Sequence, residues 1–259
     1  MPATGFPGPF LANDKSTYIN FGSWMIGANT GGNPGTAGSA VPAVTINTVN
    51  QWVGPGYYLE CYNTTASTAA MPTMATLANN GINIDTVTGA AAKTIEITEG
   101  NAVSIKNAFI SRGGSPFYVR ATFNVNTLAN VTSLYVGFRK QQTYQATLPA
   151  GYTDYAAFGV SGAAGKLQSL TQLSSGGNTT TDSTNLITAG TNFTVQVNVD
   201  GTGNATYLRD VTGNGPLIAP TTVAAYQFAN SLTLIPFIIY TTVTSHTEVD
   251  LVSYSCGYL

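Results

Sequence analysis

The chain has 259 residues, a formal charge of −2 and charged side chains at only 8% of positions, about a third of the usual share. So few Lys and Arg exclude a phosphate-tracking nucleic-acid protein, and 10% aromatics exclude a charge-expanded disordered chain. No apolar run approaches the roughly 18 residues of a membrane helix, so no membrane partner is expected.

Residues 1–50 read as an extended, Gly/Pro-rich N-terminal arm, because stretches such as GFPGPF and GANTGGNPGTAGSAVPAV defeat both helix and long strand. The opening MPATGFPGPF lacks the basic and apolar regions of a signal peptide. The expectation is a protein that meets its partners without a secretory route. One strand-like island, STYINFGSWMI (Ser16–Ile26), interrupts the arm. Phe6, Phe10, Tyr18, Phe21 and Trp24, with Trp52 just beyond, are the expected interaction residues, anchoring the arm on the body or on a neighbouring subunit.

Residues 51–259 form the second unit, a β-sandwich. Short runs of β-branched and aromatic residues alternate with polar ones and are separated by turn residues. GYYLECYN, GINIDTV, KTIEIT and AVSIKNAFI come first. FYVRATFNVN (Phe117–Asn126) and SLYVGFRK (Ser133–Lys140) read as an antiparallel pair. YAAFGV, KLQSLTQL, NFTVQVNV, ATYLRD, LTLIPFIIY and TEVDLVSYS follow. MPTMATLANNG (Met71–Gly81) suits two turns of helix ending at a Gly cap. SSGGNTTTDSTN (Ser174–Asn185) reads as a polar, mobile loop tip. A dozen strands without crossover helices predict an all-β, antiparallel sandwich of the jelly-roll kind. Each strand should bury one face and wet the other, as in NFTVQVNV, with Phe193, Val195, Val197 and Val199 inward.

The stretch DGTGNATYLRD (Asp200–Asp210) could cradle calcium or turn a hairpin. Asp-Gly and Gly-Asn supply a hairpin tip cheaply, while an oxygen cage lacks a closing Glu and would face Arg209. The hairpin is expected. In HTEVDLVSYS, Glu248 and Asp250 lie two apart, on one strand face. Their spacing resembles the first half of the Glu-x-Asp-x-x-Glu motif of jelly-roll β-glucanases, but Ser253 stands where the second Glu would be. A solvated strand face is the expectation. His246 is the single histidine, which leaves no His-based metal centre and reads as an exposed turn residue. No nucleophile elbow or phosphate-cradling loop occurs. The expected sets of catalytic, cofactor-binding and metal-binding residues are therefore empty. Cys61 and Cys256 are expected as two buried free thiols, a disulfide being the alternative. Trp52, Tyr57, Tyr58, Tyr144, Tyr152 and Tyr155 fall near predicted turns, where core, subunit interface and glycan contact all remain open.

From Phe117 to Leu259 the strand order resembles the concanavalin A-like, laminin G-type jelly roll. The resemblance rests on PFYVRATFNV, NFTVQVNVDGTGNATYLRD and YQFANSLTLIPFIIYTTVTSHTEVDLVSYSCGY. As a whole, the aromatic arm and the Thr/Asn/Gly/Ala-rich sandwich are similar to tailed-bacteriophage capsid decoration (cement) proteins. That resemblance implies a non-enzymatic virion protein on the capsid exterior. Its partners would be the major capsid protein and sister subunits, as a homotrimer. The alternative is a receptor- or glycan-binding head or tail-fibre module that meets a cell-surface glycan.

Overall fold

The computed structural model describes residues 17–20, 49–54, 57–63, 77–78, 81–84, 93–103, 105–174, 176–242 and 249–259. They form an antiparallel β-sandwich of two sheets. The eight-stranded sheet comprises β1 (Thr17–Asn20), β4 (Leu77–Ala78), β5 (Gly81–Asn83), β8 (Phe117–Val125), β13 (Phe193–Val199), β14 (Asn204–Asp210), β15 (Tyr226–Gln227) and β17 (Val249–Tyr258). The nine-stranded sheet comprises β2 (Val49–Gly54), β3 (Tyr57–Asn63), β6 (Lys93–Thr98), β7 (Phe109–Ile110), β9 (Val131–Lys140), β10 (Tyr155–Ser161), β11 (Lys166–Gln172), β12 (Thr179–Leu186) and β16 (Thr233–Thr242). Their orders are β15-β14-β13-β8-β17-β5-β4, with β1 also on β17, and β12-β11-β10-β9-β16-β6-β3-β2, with β7 also on β16.

The core lies between the sheets and follows the period of two. Leu134, Val136 and Phe138 of β9 meet Val195, Val197 and Val199 of β13 across it, all fully buried. Each such side chain contributes about 1.5–3 kcal/mol by leaving water. Cys61 and Cys256 sit in this cluster as free, buried thiols, and burial pushes the Cys61 thiol well up. Pro236 occurs in mid-strand without breaking β16. Between the β7 partners Thr233 and Leu234 and the β6 partners from Phe237 on, that edge is unpaired at Ile235 and Pro236. The missing N–H therefore costs no ladder bond, and the Thr98 hydroxyl donates to the Pro236 carbonyl at 2.8 Å.

Several expectations are corrected. Phe117–Asn126 and Ser133–Lys140 are not partners: β8 pairs with β13 and β17, and β9 pairs with β10 and β16. The link through a 3-10 turn at Leu128–Asn130 carries the chain from one sheet to the other. Alternation reports which face is buried, not which strand lies alongside. The helix expected at Met71–Gly81 fails at its end, where Leu77 and Ala78 pair with Ile82 and Gly81 as two strands. Short apolar runs suit either period. Ser174–Asn185 is loop only at its start, because Thr179–Leu186 is the edge strand β12 on β11. Its Thr residues suit a pleated, half-wet edge.

Nor is one face of each strand simply wet. On the outer side of β13, Thr194 and Gln196 are buried, and the Thr194 and Thr122 hydroxyls share a 2.8 Å hydrogen bond. Asp250, expected on a solvated face, is 1% exposed. Glu248 and His246 lie outside the described residues.

Candidate functional site

Polar chemistry concentrates in two places. The first is the outer face of the nine-stranded sheet. Glu60 of β3, Glu96 of β6 and Arg139 of β9 alternate with core residues and so point away from the core. The chain between β9 and β10, residues 141–154, folds over them and brings Tyr144 and Tyr152. The Arg139 Nε donates to Glu96 Oε1 at 2.6 Å, and both side chains are 0% exposed. Arg139 Nη2 donates to the Gly100 carbonyl at 2.8 Å, and its guanidinium lies over the Tyr152 ring at 4.5 Å. The Tyr152 hydroxyl donates to Glu96. Tyr144 donates to Glu60 Oε2 at 2.5 Å, and Asn101 donates to the same oxygen at 2.8 Å. Tyr62 and Tyr144 stack at 4.3 Å.

Burial alone would pull the Arg139 guanidinium down, but the charge and hydrogen bond of Glu96, with Tyr152 and Tyr144, together hold it above its usual value. Burial, then Glu96, pushes the Tyr144 and Tyr152 phenols far up, so both remain donors at any working pH. Tyr135, Tyr155, Phe237 and Ile239 extend the cover as a second apolar cluster. Carboxylates this enclosed, with their oxygens taken by the chain's own donors, reinforce the sheet instead of meeting a substrate.

The second place is an open cleft of about 610 Å³ beside the loop after β11. Arg112, Gln172, Ser174, Thr179, Tyr226 and Gln227 are among its lining residues. Arg112 adopts a left-handed φ of 55° and is exposed. Its Nε donates to the Phe228 carbonyl at 3.0 Å. The Tyr226 hydroxyl donates to the Gln172 carbonyl at 2.7 Å. A hollow of about 300 Å³ adjoins the cleft and shares Ala225, Tyr226 and Gln227 with it.

The expected hairpin at Asp200–Asp210 stands beside this cleft. Val199 faces Ala205, and the turn between them is closed by Asp200. Its Oδ1 accepts the N–H of Thr202 at 2.8 Å and of Asn204 at 2.9 Å, while Oδ2 accepts the Asn204 amide. Partial desolvation pushes the Asp200 carboxyl up, but these donors outweigh it and hold it at about 2. Its oxygens serve the turn. Gly203, at φ +89°, also makes room for Arg112: a Cβ there would come within 3.0 Å of the Arg112 Cγ. Gln227 Nε2 donates to the Thr202 carbonyl at 3.1 Å. The turn therefore seats two lining residues of the cleft.

Of the expected interaction residues, Tyr18 lies in β1 opposite Ser255, and Trp52 lies in β2 opposite Leu59. Phe6, Phe10, Phe21 and Trp24 lie outside the described residues. Tyr152 and Tyr155, expected near turns, are both buried in the second apolar cluster. Sequence reasoning missed Glu60, Glu96, Arg139, Arg112 and Gln172. Glu60 and Glu96 left one signal, a lone carboxylate inside an otherwise apolar strand (YYLECYN, KTIEIT).

No protein-family model matches the chain, and no curated protein matches its sequence. Among solved structures, it is similar to the exoplasmic/lumenal domain of VIP36 in its metal-free form. The TM-score is 0.50 at 8% identity, covering 80% of this chain and 86% of that one. The Ca2+/Man2-bound form of the same domain gives 0.50 at 8% identity over 86% and 88%. The CBM2 module of Lactobacillus casei BL23 phage J-1 evolved Dit gives 0.42 at 12% identity over 95% and 96%, too weak a likeness to carry an argument. At these identities the likeness to VIP36 establishes a lectin-like β-sandwich fold and nothing of its chemistry. Among the described residues, no group of three or more His, Cys, Asp or Glu could hold a metal ion. No helix among them is long and apolar enough to cross a membrane.

Proposed function

We propose that this chain is a non-enzymatic virion structural protein, a decoration or cement protein bound to the outside of the major capsid shell. The observation that carries the non-enzymatic part is the closure of the Glu60–Glu96–Arg139 cluster. The sheet face where paired carboxylates could act is roofed by residues 141–154, and its acids are engaged by Tyr144, Tyr152, Asn101 and Arg139. What remains outside is a surface poor in charge, which tolerates close packing with neighbours. The interaction arm, residues 1–50, would be pinned to its own sandwich through Tyr18 in β1 and would carry Phe6, Phe10, Phe21 and Trp24 across capsid and sister subunits of a homotrimer. Spreading contacts over several subunits raises effective concentration beyond what one compact patch achieves. Added back to shells that lack it, the full chain should co-sediment saturably and delay their disruption on heating. Shells that neither bind it nor gain stability would refute this reading.

A second reading, a receptor- or glycan-binding module of the same particle, is favoured by the open cleft. Amides, hydroxyls and one aromatic ring line it at Gln172, Gln227, Ser174, Thr179 and Tyr226, the groups that hydrogen-bond and stack on sugars.

A further inference from the structure

The cleft is unevenly charged, and Arg112, the one cation among its described lining residues, is held in place. Arg112 occupies a left-handed backbone position that costs a residue with a Cβ free energy and persists only when its surroundings fix it. Here the surroundings do so. Ser111 is tied to the strand entrance, its N–H donating to the Leu232 carbonyl at 2.9 Å and its hydroxyl to the Ala229 carbonyl at 2.7 Å. The Arg112 Nε is fixed on Phe228 at 3.0 Å, and the bare Cα of Gly203 leaves room for the stem. Among the described residues, no Asp or Glu lines the cleft. The carboxylate of Asp154 behind its Ser174 wall is 3% exposed. It accepts the Ser174 N–H at 3.0 Å and lies 3.9 Å from Lys140, so its charge is already answered.

The neutral groups around Arg112 are equally specific. Gln172 is 6% exposed. The Tyr155 hydroxyl donates to Asn178 Oδ1 and lies 3.3 Å from the Gln172 side-chain amide. The Tyr226 ring is held by the bond of its hydroxyl to the Gln172 carbonyl and by an edge contact with Phe228 at 4.8 Å. The adjoining hollow continues past Tyr226 and Gln227 towards Asn204, so the concavity is elongated. Its volume of about 610 Å³ falls in the range of small-molecule sites.

We infer that this cleft binds an anionic polyol chain, a saccharide or polyol bearing carboxylate or phosphate groups. Arg112 takes the anion, and Gln172 and Gln227 take neighbouring hydroxyls. A guanidinium fork matches carboxylate and phosphate oxygens two at a time. The inference rests on the second reading above and names the ligand's charge.

The test uses the full chain and calorimetric titration at low and at moderate salt. The probes are an oligogalacturonate, its methyl ester, and a poly(glycerol phosphate) of similar length. The oligogalacturonate, the poly(glycerol phosphate) or both should bind, weaken with salt, and exceed the methyl ester at least tenfold. The relative strength of the two anionic probes identifies carboxylate or phosphate as the source. Arg112→Gly should lose at least tenfold in affinity. Glycine adopts φ 55° without strain, so the variant keeps its thermal midpoint, and loss of fold cannot explain loss of binding. If the methyl ester binds as well as the acid and Arg112→Gly changes nothing, the anionic assignment is wrong while saccharide binding stands. If no probe binds, both readings fall.

Discussion

Arg139 and Arg112 belong to one chain but live under opposite conditions. Arg139 is 0% exposed, bonded to Glu96 at 2.6 Å, and covered by Tyr152 at 4.5 Å. Arg112 is exposed, makes one side-chain hydrogen bond among the described residues, to a backbone carbonyl, and keeps a left-handed backbone. The first guanidinium is consumed by the fold, and the second is held out by it. Enclosure decides the difference. Residues 141–154 roof the Glu60–Glu96–Arg139 cluster, whereas the loop after β11 leaves the cleft beside Arg112 open. A buried group adds rigidity when its partners are complete, and an exposed group held under strain invites a partner from outside.

The larger effect of the two arginines is expected at Arg139. Arg139→Ala strands the Glu96 carboxylate in a dry site, which costs about 3–5 kcal/mol. The thermal midpoint should drop steeply in calorimetry. Arg139→Met combined with Glu96→Gln should recover much of the loss, because the unpaired charge is gone. A near-neutral Arg139→Ala would mean that water reaches the cluster. The Arg112→Gly substitution should leave stability within about 0.5 kcal/mol of the parent, as an exposed substitution normally does, while lowering the proposed anion affinity at least tenfold.

The smallest effect concerns the turn that supports Arg112. Asp200 is held at about 2, below its ordinary 3.8. Its folded pKa is depressed, so its contribution is fully present above about pH 4 and is lost as pH falls towards 2. Asp200→Asn should flatten the fall in thermal midpoint across that window relative to the parent. Parallel acid profiles for the two proteins would show that Asp200 does not close the turn.

Much of the fold was legible in the chain. Alternation in NFTVQVNV placed Val195, Val197 and Val199 inward, and Asp200-Gly201 marked the hairpin; both stand in the structure. Partner choice was not legible, because β8 and β9 carry clean alternation yet lie in different sheets. The two polar sites were hidden for the same reason. Glu60 meets Tyr144 across 84 positions, and Glu96 meets Arg139 across 43. On a strand, an outward carboxylate reads as wet until something distant covers it. Arg112 in SRGGS looked like loop filler, and only its backbone angle and its seat against Gly203 distinguish it.

Whether the proposed sandwich sits outside a capsid shell is decided by cryo-imaging of an intact particle. A decoration protein should give density for two packed antiparallel sheets on the shell exterior, repeated at local three-fold positions and with an extended segment running onto neighbouring subunits. The same density confined to the tail or a fibre, or absent from the particle, would contradict that placement.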